Sequence, residues 1–335
     1  MPAQAPSGVA DDHALPGKER AYTFWTLSDA VSLRHRVLDE LRADRPEPPG
    51  FVVVGGGLLG VEVAAELAGL LEREAVGAPP RLALVAASDR LLPGQGAAMA
   101  EAATEALTRH GVDIYLNGQV EAIEPSVVRL KGGICLPADV AVLSTGVKPS
   151  PLVANLPMPH DRLGRVMVRP TLQSLTRPDV WALGDCAAVP GPDGVAPSLA
   201  QHAVRQAETV ARNILAMVRC QPMVAHDYRT LGVMCSLGPR EAVAEVQGWT
   251  TWGEGVWWAR RAYYGWALPG MGDRLGLMAN WALDSWRSPW HLPRLLQGLR
   301  PPLGEAAEPD ERFNVTWLPV SHEDAAKRSP RDASE

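Results

Sequence analysis

The chain has 335 residues, enough for two domains and an appendage. Lys and Arg number 32 against 38 Asp and Glu, and the formal net charge of -6 argues against a nucleic-acid binder, which needs a basic face. Hydrophobic residues at 46% and charged residues at 21% give the balance of a globular protein with a core.

The first segment, Met1 to Gly17, is small, polar and Pro-bearing and reads as loop, with neither the basic nor the apolar region of a secretory signal. Ser28 can cap a helix to about Ala43 with Leu27, Val31, Leu38 and Leu41 on one face. Arg45-Pro46-Glu47-Pro48-Pro49-Gly50 then breaks the chain. Phe51 to Val54 reads as a buried parallel strand, followed by a helix from Leu59 to about Leu71. Leu82 to Val85 is a second strand, Met99 to His110 a helix stopped by Gly111, and Val112 to Leu116 a third strand. That order is the mononucleotide-binding half of a doubly wound sheet. Short alternating pieces from Val120 to Leu136 surround a Lys131-Gly132-Gly133 turn and predict a small antiparallel meander; Val140 to Leu143 returns to a buried strand. Pro149 to Pro178 is loop-rich, with a short extended piece from Arg165 to Val168. Val180 to Leu183 reads as a strand and Ala200 to Val218 as a long amphipathic helix. Cys135, Cys186, Cys220 and Cys235 form no C-x-x-C pair, which disfavours a zinc cage, an iron–sulfur site or a local redox disulfide and leaves reduced thiols.

Gly55-Gly56-Gly57-Leu58-Leu59-Gly60 matches G-x-G-x-x-G between a strand and a helix. Gly55 permits the tight turn, Gly57 lets a pyrophosphate approach, and Gly60 packs the helix on the sheet. The carboxylate that usually ends the second strand and holds the ribose is absent: Ala86 follows Val85. Ser88 or Asp89 could substitute, and Arg90 lies near, so NAD is favoured while NADP stays open.

Phe51 to Gly57, Gly60-Val61-Glu62 and Arg90-Leu91-Leu92-Pro93 resemble the NAD(P)H-binding domain of two-dinucleotide-binding flavoproteins. Val180-Trp181-Ala182-Leu183-Gly184-Asp185-Cys186-Ala187 resembles their second FAD motif. With Ser198-Leu199-Ala200-Gln201-His202-Ala203 and the Trp-rich end, the chain resembles type II NADH dehydrogenases from about Ala21 to Ser288. The resemblance implies that Glu62 lies near the nicotinamide–flavin stack and Gly146 borders the NADH cleft. It further implies that Gly184 and Asp185 meet the FAD ribityl–phosphate region, that the amides opening the Ala200 helix face the flavin, and that Gln201 and His202 lie at the ring, with Gln201 where quinone approaches. Glu62 and Gln201 are the implied catalytic residues, FAD and NAD(P)H the implied cofactors. No metal is expected. Three departures stand out. Met1 to Gly50 contains no second G-x-G-x-x-G, the family's FAD-pyrophosphate loop; Arg205 replaces a glutamine of the quinone-site helix; and Ala86 replaces the ribose carboxylate. Disulfide reductases of the same superfamily fit poorly, because no redox cysteine pair is present.

Eight of the eleven tryptophans fall between Trp249 and Trp290, interleaved with Arg260, Arg261, Arg274 and Arg287. This mixture suits a segment lying in a membrane interface rather than crossing it. The fold expected is α/β: a doubly wound Rossmann-type NAD(P)-binding domain, part of an FAD-binding domain and a Trp-rich membrane-contact segment. The divisions fall at 1–49, 50–148, 149–245, 246–300 and a disordered acidic tail, 301–335. The function expected is hydride transfer from NADH to flavin and then to an acceptor, quinone by resemblance, on the cytoplasmic face of the cell membrane. A homodimer or partner chain is expected, nucleic acid is not. The alternatives are a non-catalytic NAD(H)-binding remnant and a soluble flavin-dependent reductase.

Overall fold

The computed structural model describes residues 15–146, 149–192, 194–268 and 270–286. The expectations for most of the N-terminal loop, for Arg287 and Trp290, and for the tail lie outside the described residues. Helix α1 (Leu27–Arg42) opens on Thr26, not Ser28: the Thr26 hydroxyl accepts from the Asp29 amide while Asp29 accepts from the Thr26 amide. This reciprocal capping box satisfies two otherwise orphaned donors, which a serine inside the first turn does not do.

Strand β1 (Gly50–Val54) is buried along its whole length. It pairs in parallel with β2 (Arg81–Val85), which pairs in parallel with β3 (Val112–Tyr115). Helices α2 (Leu58–Glu74) and α3 (Ala97–Arg109) make the crossovers. An antiparallel meander follows: β4 (Val120–Glu124), β5 (Val127–Leu130) and β6 (Cys135–Pro137). Strand β7 (Val140–Leu143) then joins the other side of β1, giving the parallel order β3-β2-β1-β7, and Tyr22 bridges to Val142 beyond it.

The alternation along β1 builds three layers. Phe51 and Val53 face α1, α2 and α3, packing with Val37, Val61, Leu84 and Leu107. Val52 and Val54 face the meander, packing with Val85, Val128 and Leu130. Burying each such aliphatic or aromatic side chain stabilises the fold by about 1.5–3 kcal/mol.

Beyond β7 come α4 (Pro151–Ala154), β8 (Val166–Met167), β9 (Ala187–Ala188), β10 (Pro190–Gly191) and β11 (Gly194–Val195), around a small core of Val166, Leu172, Val189 and Val210. The expected strand over 180–183 does not form. Trp181 makes one isolated bridge to Gln173, and a 3-10 turn over Gly184–Cys186 follows at once. Helix α5 (Ala200–Val218) has the expected bounds. A strap of irregular chain then leads to a second antiparallel sheet, β12 (Gly232–Ser236), β13 (Ala242–Val246) and β14 (Trp249–Gly253), whose existence the sequence reading missed. Cys235, Leu237 and Val243 of this region join the core beneath α2. Helices α6 (Glu254–Ala267) and α7 (Met271–Trp286) follow, crossing where Gly265 faces the Trp281 ring. All four cysteines are free thiols.

Candidate functional site

The loop after β1 lies at the carboxyl edge of the parallel sheet. Gly55 has φ +126°, open to glycine alone without strain. A Cβ at Gly60 would lie 1.8 Å from the Gly55 carbonyl oxygen, so the helix seats on the loop only because that atom is missing. A Cβ at Gly57 would meet nothing within 4 Å: this glycine faces open space, as close approach by a ligand requires. Helix α2 has no side-chain cap, and its first intrahelical bond is Val61 N–H to the Gly57 carbonyl. Its opening amides and positive dipole end are thereby presented to an anion.

Above this loop lies a cleft of about 710 Å³. Its floor is Gly55 to Gly57, and its walls come from the other strand ends: Ala87 and Ser88 after β2, Gly118 to Glu121 after β3, and Ser144 to Gly146 after β7. Leu15 and Trp25 close one side. The volume suits a dinucleotide half or a drug-sized ligand. Ala86 is fully buried, and a Cβ placed on Gly56 would come within 2.6 Å of its methyl group. That packing leaves no room for a solvated carboxylate at residue 86. Ser88 lines the cleft, but its hydroxyl donates to the Arg90 carbonyl at 2.6 Å. Arg90 turns its guanidinium onto the Pro93 and Gln95 carbonyls, and neither it nor Asp89 lines the cleft.

A second group of predicted residues meets at the start of α5. The Gly184 amide donates to Gln206 Oε1 at 2.7 Å, and Gln206 is buried. Asp185 is exposed on the turn. Helix α5 has Leu199 as an uncapped N-cap, so the amides of Ala200 and Gln201 have no side-chain acceptor. Gln201 is bonded at both amide atoms: its Nε2 donates to the Gly232 carbonyl and its Oε1 accepts from the Tyr228 hydroxyl. His202 is buried, with Nε2 bonded to Thr230 Oγ1 at 2.9 Å and the Tyr228 ring edge-on at 5.0 Å. Burial, and then His226, hold its pKa below the ordinary imidazole value. Arg205 points outward and pairs with Glu208.

Glu62 does not line the cleft. One carboxylate oxygen accepts from the Ser236 amide at 2.9 Å and from Arg260 on α6 at 2.8 Å. The Ser236 hydroxyl donates to Glu66. Burial first, and the Glu62 charge second, push the neighbouring Cys235 thiol well up, so it remains protonated. Strand β12 therefore links both predicted catalytic residues: Gln201 holds its first residue, Glu62 its last. At a rise of about 3.3 Å per residue those ends stand roughly 13 Å apart.

The sequence reading missed Trp25, Gln119, Glu121 and Ser144 in the cleft and Arg260 beside Glu62. Ser144 follows directly on a correctly placed strand, a signal that was available. Trp25 precedes the break at Pro46 and is brought over the cleft only by tertiary packing.

Residues 7–207 match the family described as Pyridine nucleotide-disulphide oxidoreductase. A demethylphylloquinone reductase of Synechocystis sp. is 30% identical over 272 residues, 80% of this chain and 66% of that protein. A type II NADH:quinone oxidoreductase of Mycobacterium tuberculosis is 30% identical over 287 residues, 77% of this chain and 60% of that protein. The chain thus spans 60–66% of the length of these two curated relatives. The structure of NDH2 from Plasmodium falciparum in complex with NADH superposes with a TM-score of 0.74 at 15% identity, covering 83% of this chain and 76% of that one. At that identity the likeness is one of fold.

Proposed function

From the premise that the chain belongs to the pyridine nucleotide-disulphide oxidoreductase family, we propose that it acts as an FAD-dependent NAD(P)H dehydrogenase with quinone as acceptor. The observation that carries this reading is the glycine cradle: Gly57 facing open space at an uncapped helix start, beneath a cleft lined by all four parallel strand ends. The names of the relatives supply the reaction class. The α2 amides would hold the pyrophosphate, and Ser144 to Gly146 would border the nicotinamide end. Trp25, Leu58 and Leu59 give the cleft an apolar wall that excludes water.

The described residues fit the ring side of a flavin. Gly184, held by Gln206 at φ +67°, presents Asp185, and the uncapped α5 offers amides where negative charge would gather. Bound FAD would supply hydride acceptance and onward electron transfer. Gln201, committed on both its amide atoms, would act by fixing β12 against α5. Glu62 would keep Arg260 and the β12 backbone in place, and we propose peripheral attachment to the cytoplasmic face of a membrane through the aromatic residues of β14 and α6.

An absorbance spectrum of the purified full chain tests the reading. The expected result is flavin at one per chain, bleached by NADH and recoloured by a quinone. A second reading, an NAD(H)-binding subunit that needs a partner chain, is favoured by one observation: the described residues form a single G-x-G-x-x-G cradle. A colourless protein that still binds NADH, and turns yellow only with a partner, would support that reading instead.

A further inference from the structure

We propose that Glu121 sets the nucleotide preference of the cleft, taking the discriminating role that the end of β2 does not fill and turning away the 2′-phosphate of NADPH. The inference rests on the reading of this cleft as an NAD(P)H site and deepens it.

The end of β2 offers neither of the usual devices. Ala86 is buried, Ala87 brings a methyl group, and Arg90 is spent on two backbone carbonyls. Among the described residues lining the cleft, Glu121 is the one that carries a charge. It reaches the cleft through an irregularity in the strand. Val120 pairs with Leu130, yet Ala122 pairs with Arg129, a register shift that leaves Glu121 as the extra residue of a β-bulge. Regular alternation would put Val120 and Glu121 on opposite faces; at the bulge both line the cleft.

The position is also tied to the ribose end. The loop before β4 is stitched to the end of β2 by Asn117 N–H to the Ser88 carbonyl, Gly118 N–H to the Ala86 carbonyl and Ala86 N–H to the Tyr115 carbonyl, each at 2.8–2.9 Å. Nor is the carboxylate neutralised. Arg129, which pairs with Ala122 across the meander, forms its ion pair with Glu124, and no ion pair joins Glu121 among the described residues. An exposed carboxylate beside the ribose can accept from a 2′-hydroxyl but only repels a 2′-phosphate, and the repulsion is screened by salt.

Isothermal titration calorimetry of the full chain with NADH and with NADPH tests this, on the natural sequence and on Glu121→Gln, Glu121→Asp and Glu121→Lys. The natural protein is expected to bind NADH the more tightly, by a ratio that narrows as salt is raised. Glu121→Gln should shrink that ratio about threefold or more and abolish its salt dependence; Glu121→Asp should keep both, and Glu121→Lys should shrink it further. A ratio indifferent to residue 121 in the Gln and Lys variants overturns the inference while leaving the nucleotide site standing. Failure of both nucleotides to bind any of these proteins overturns the site and the inference together.

Discussion

Gly57 and Gly60 lie one helical turn apart, yet an added methyl group would act on different things. At Gly60 the methyl group runs into the Gly55 carbonyl at 1.8 Å, and backbone must move. At Gly57 the backbone is ordinary, with φ -78°, and there is space; what the methyl group meets is the ligand. Gly60→Ala is therefore expected to lower the melting temperature by several degrees, the mark of about 1–3 kcal/mol of overpacking. Gly57→Ala should melt with the natural protein and yet bind NADH at least about tenfold more weakly. Thermal melts and NADH titrations on both variants check this, and equal losses of binding without any loss of stability would contradict the division of roles. The G-x-G-x-x-G spacing made both glycines legible. The residues that close the cleft from elsewhere were not legible, because Trp25 and Glu121 arrive through tertiary packing and a bulge, neither of which leaves a periodic trace.

The parallel strands were readable because each is a short, unbroken apolar run between turn signals, the pattern of a strand buried on both faces. The same logic misread Val180 to Leu183: the run is apolar, but its backbone pairing is a single isolated bridge, made by Ser174 N–H to the Val180 carbonyl and Ala182 N–H to the Leu172 carbonyl, and Gly184 turns the chain away. It also missed β12 to β14, where Gly232, Ser236 and the paired threonines of Trp249-Thr250-Thr251-Trp252 blur the alternation. The strap between α5 and β12 was invisible for a related reason: it is held by side chains. Asn213 grips both backbone groups of Val224, His226 meets Thr209, Tyr228 meets Gln201 and Thr230 meets His202. Burial holds the pKa of both histidines below the ordinary value, with His226 reinforcing the effect at His202 and Asp227 opposing it at His226. Above about pH 6.5 folded and unfolded chains are alike neutral at these rings. Below it the unfolded chain takes up protons that the folded one refuses, so stability falls as pH falls, by at most about 1.4 kcal/mol per pH unit for each histidine. Melting temperatures from pH 8 to pH 5 should decline below pH 6.5, and a combined His202→Gln and His226→Asn variant should flatten that decline. An unchanged slope in the double variant would mean that other groups carry it.

At the scale of the whole molecule, the carboxyl-terminal helices leave apolar surface uncovered. Trp258, Ala262 and Trp266 share one face of α6, while Met271, Leu275 and Met278 share one face of α7, and the large side chains of both stripes are 39–69% exposed. Trp249 and Trp252 on β14 add 82% and 58% exposed rings. No helix among the described residues is long and apolar enough to cross a membrane, and the lipid contact proposed for this face is an interfacial one. The nearby cations are already occupied: Arg260 by Glu62, Arg261 by the faces of Trp257 and Trp281 at 3.8 and 5.3 Å, and Arg274 by the Leu268 carbonyl. With a net charge of -6 the chain also has no general attraction to an acidic surface. The proposed attachment would then come from aromatic burial, which predicts a distinctive behaviour. Co-sedimentation with phosphatidylcholine vesicles should match that with vesicles containing acidic lipid and should survive raised salt. Trp258→Ser combined with Trp266→Ser should weaken it about tenfold or more, since the loss of even half the burial energy of two tryptophans exceeds 1.4 kcal/mol. Binding that needs acidic lipid and vanishes in salt would contradict the argument. A protein that ignores vesicles and forms dimers broken by the same two substitutions would assign the face to a second copy of the chain.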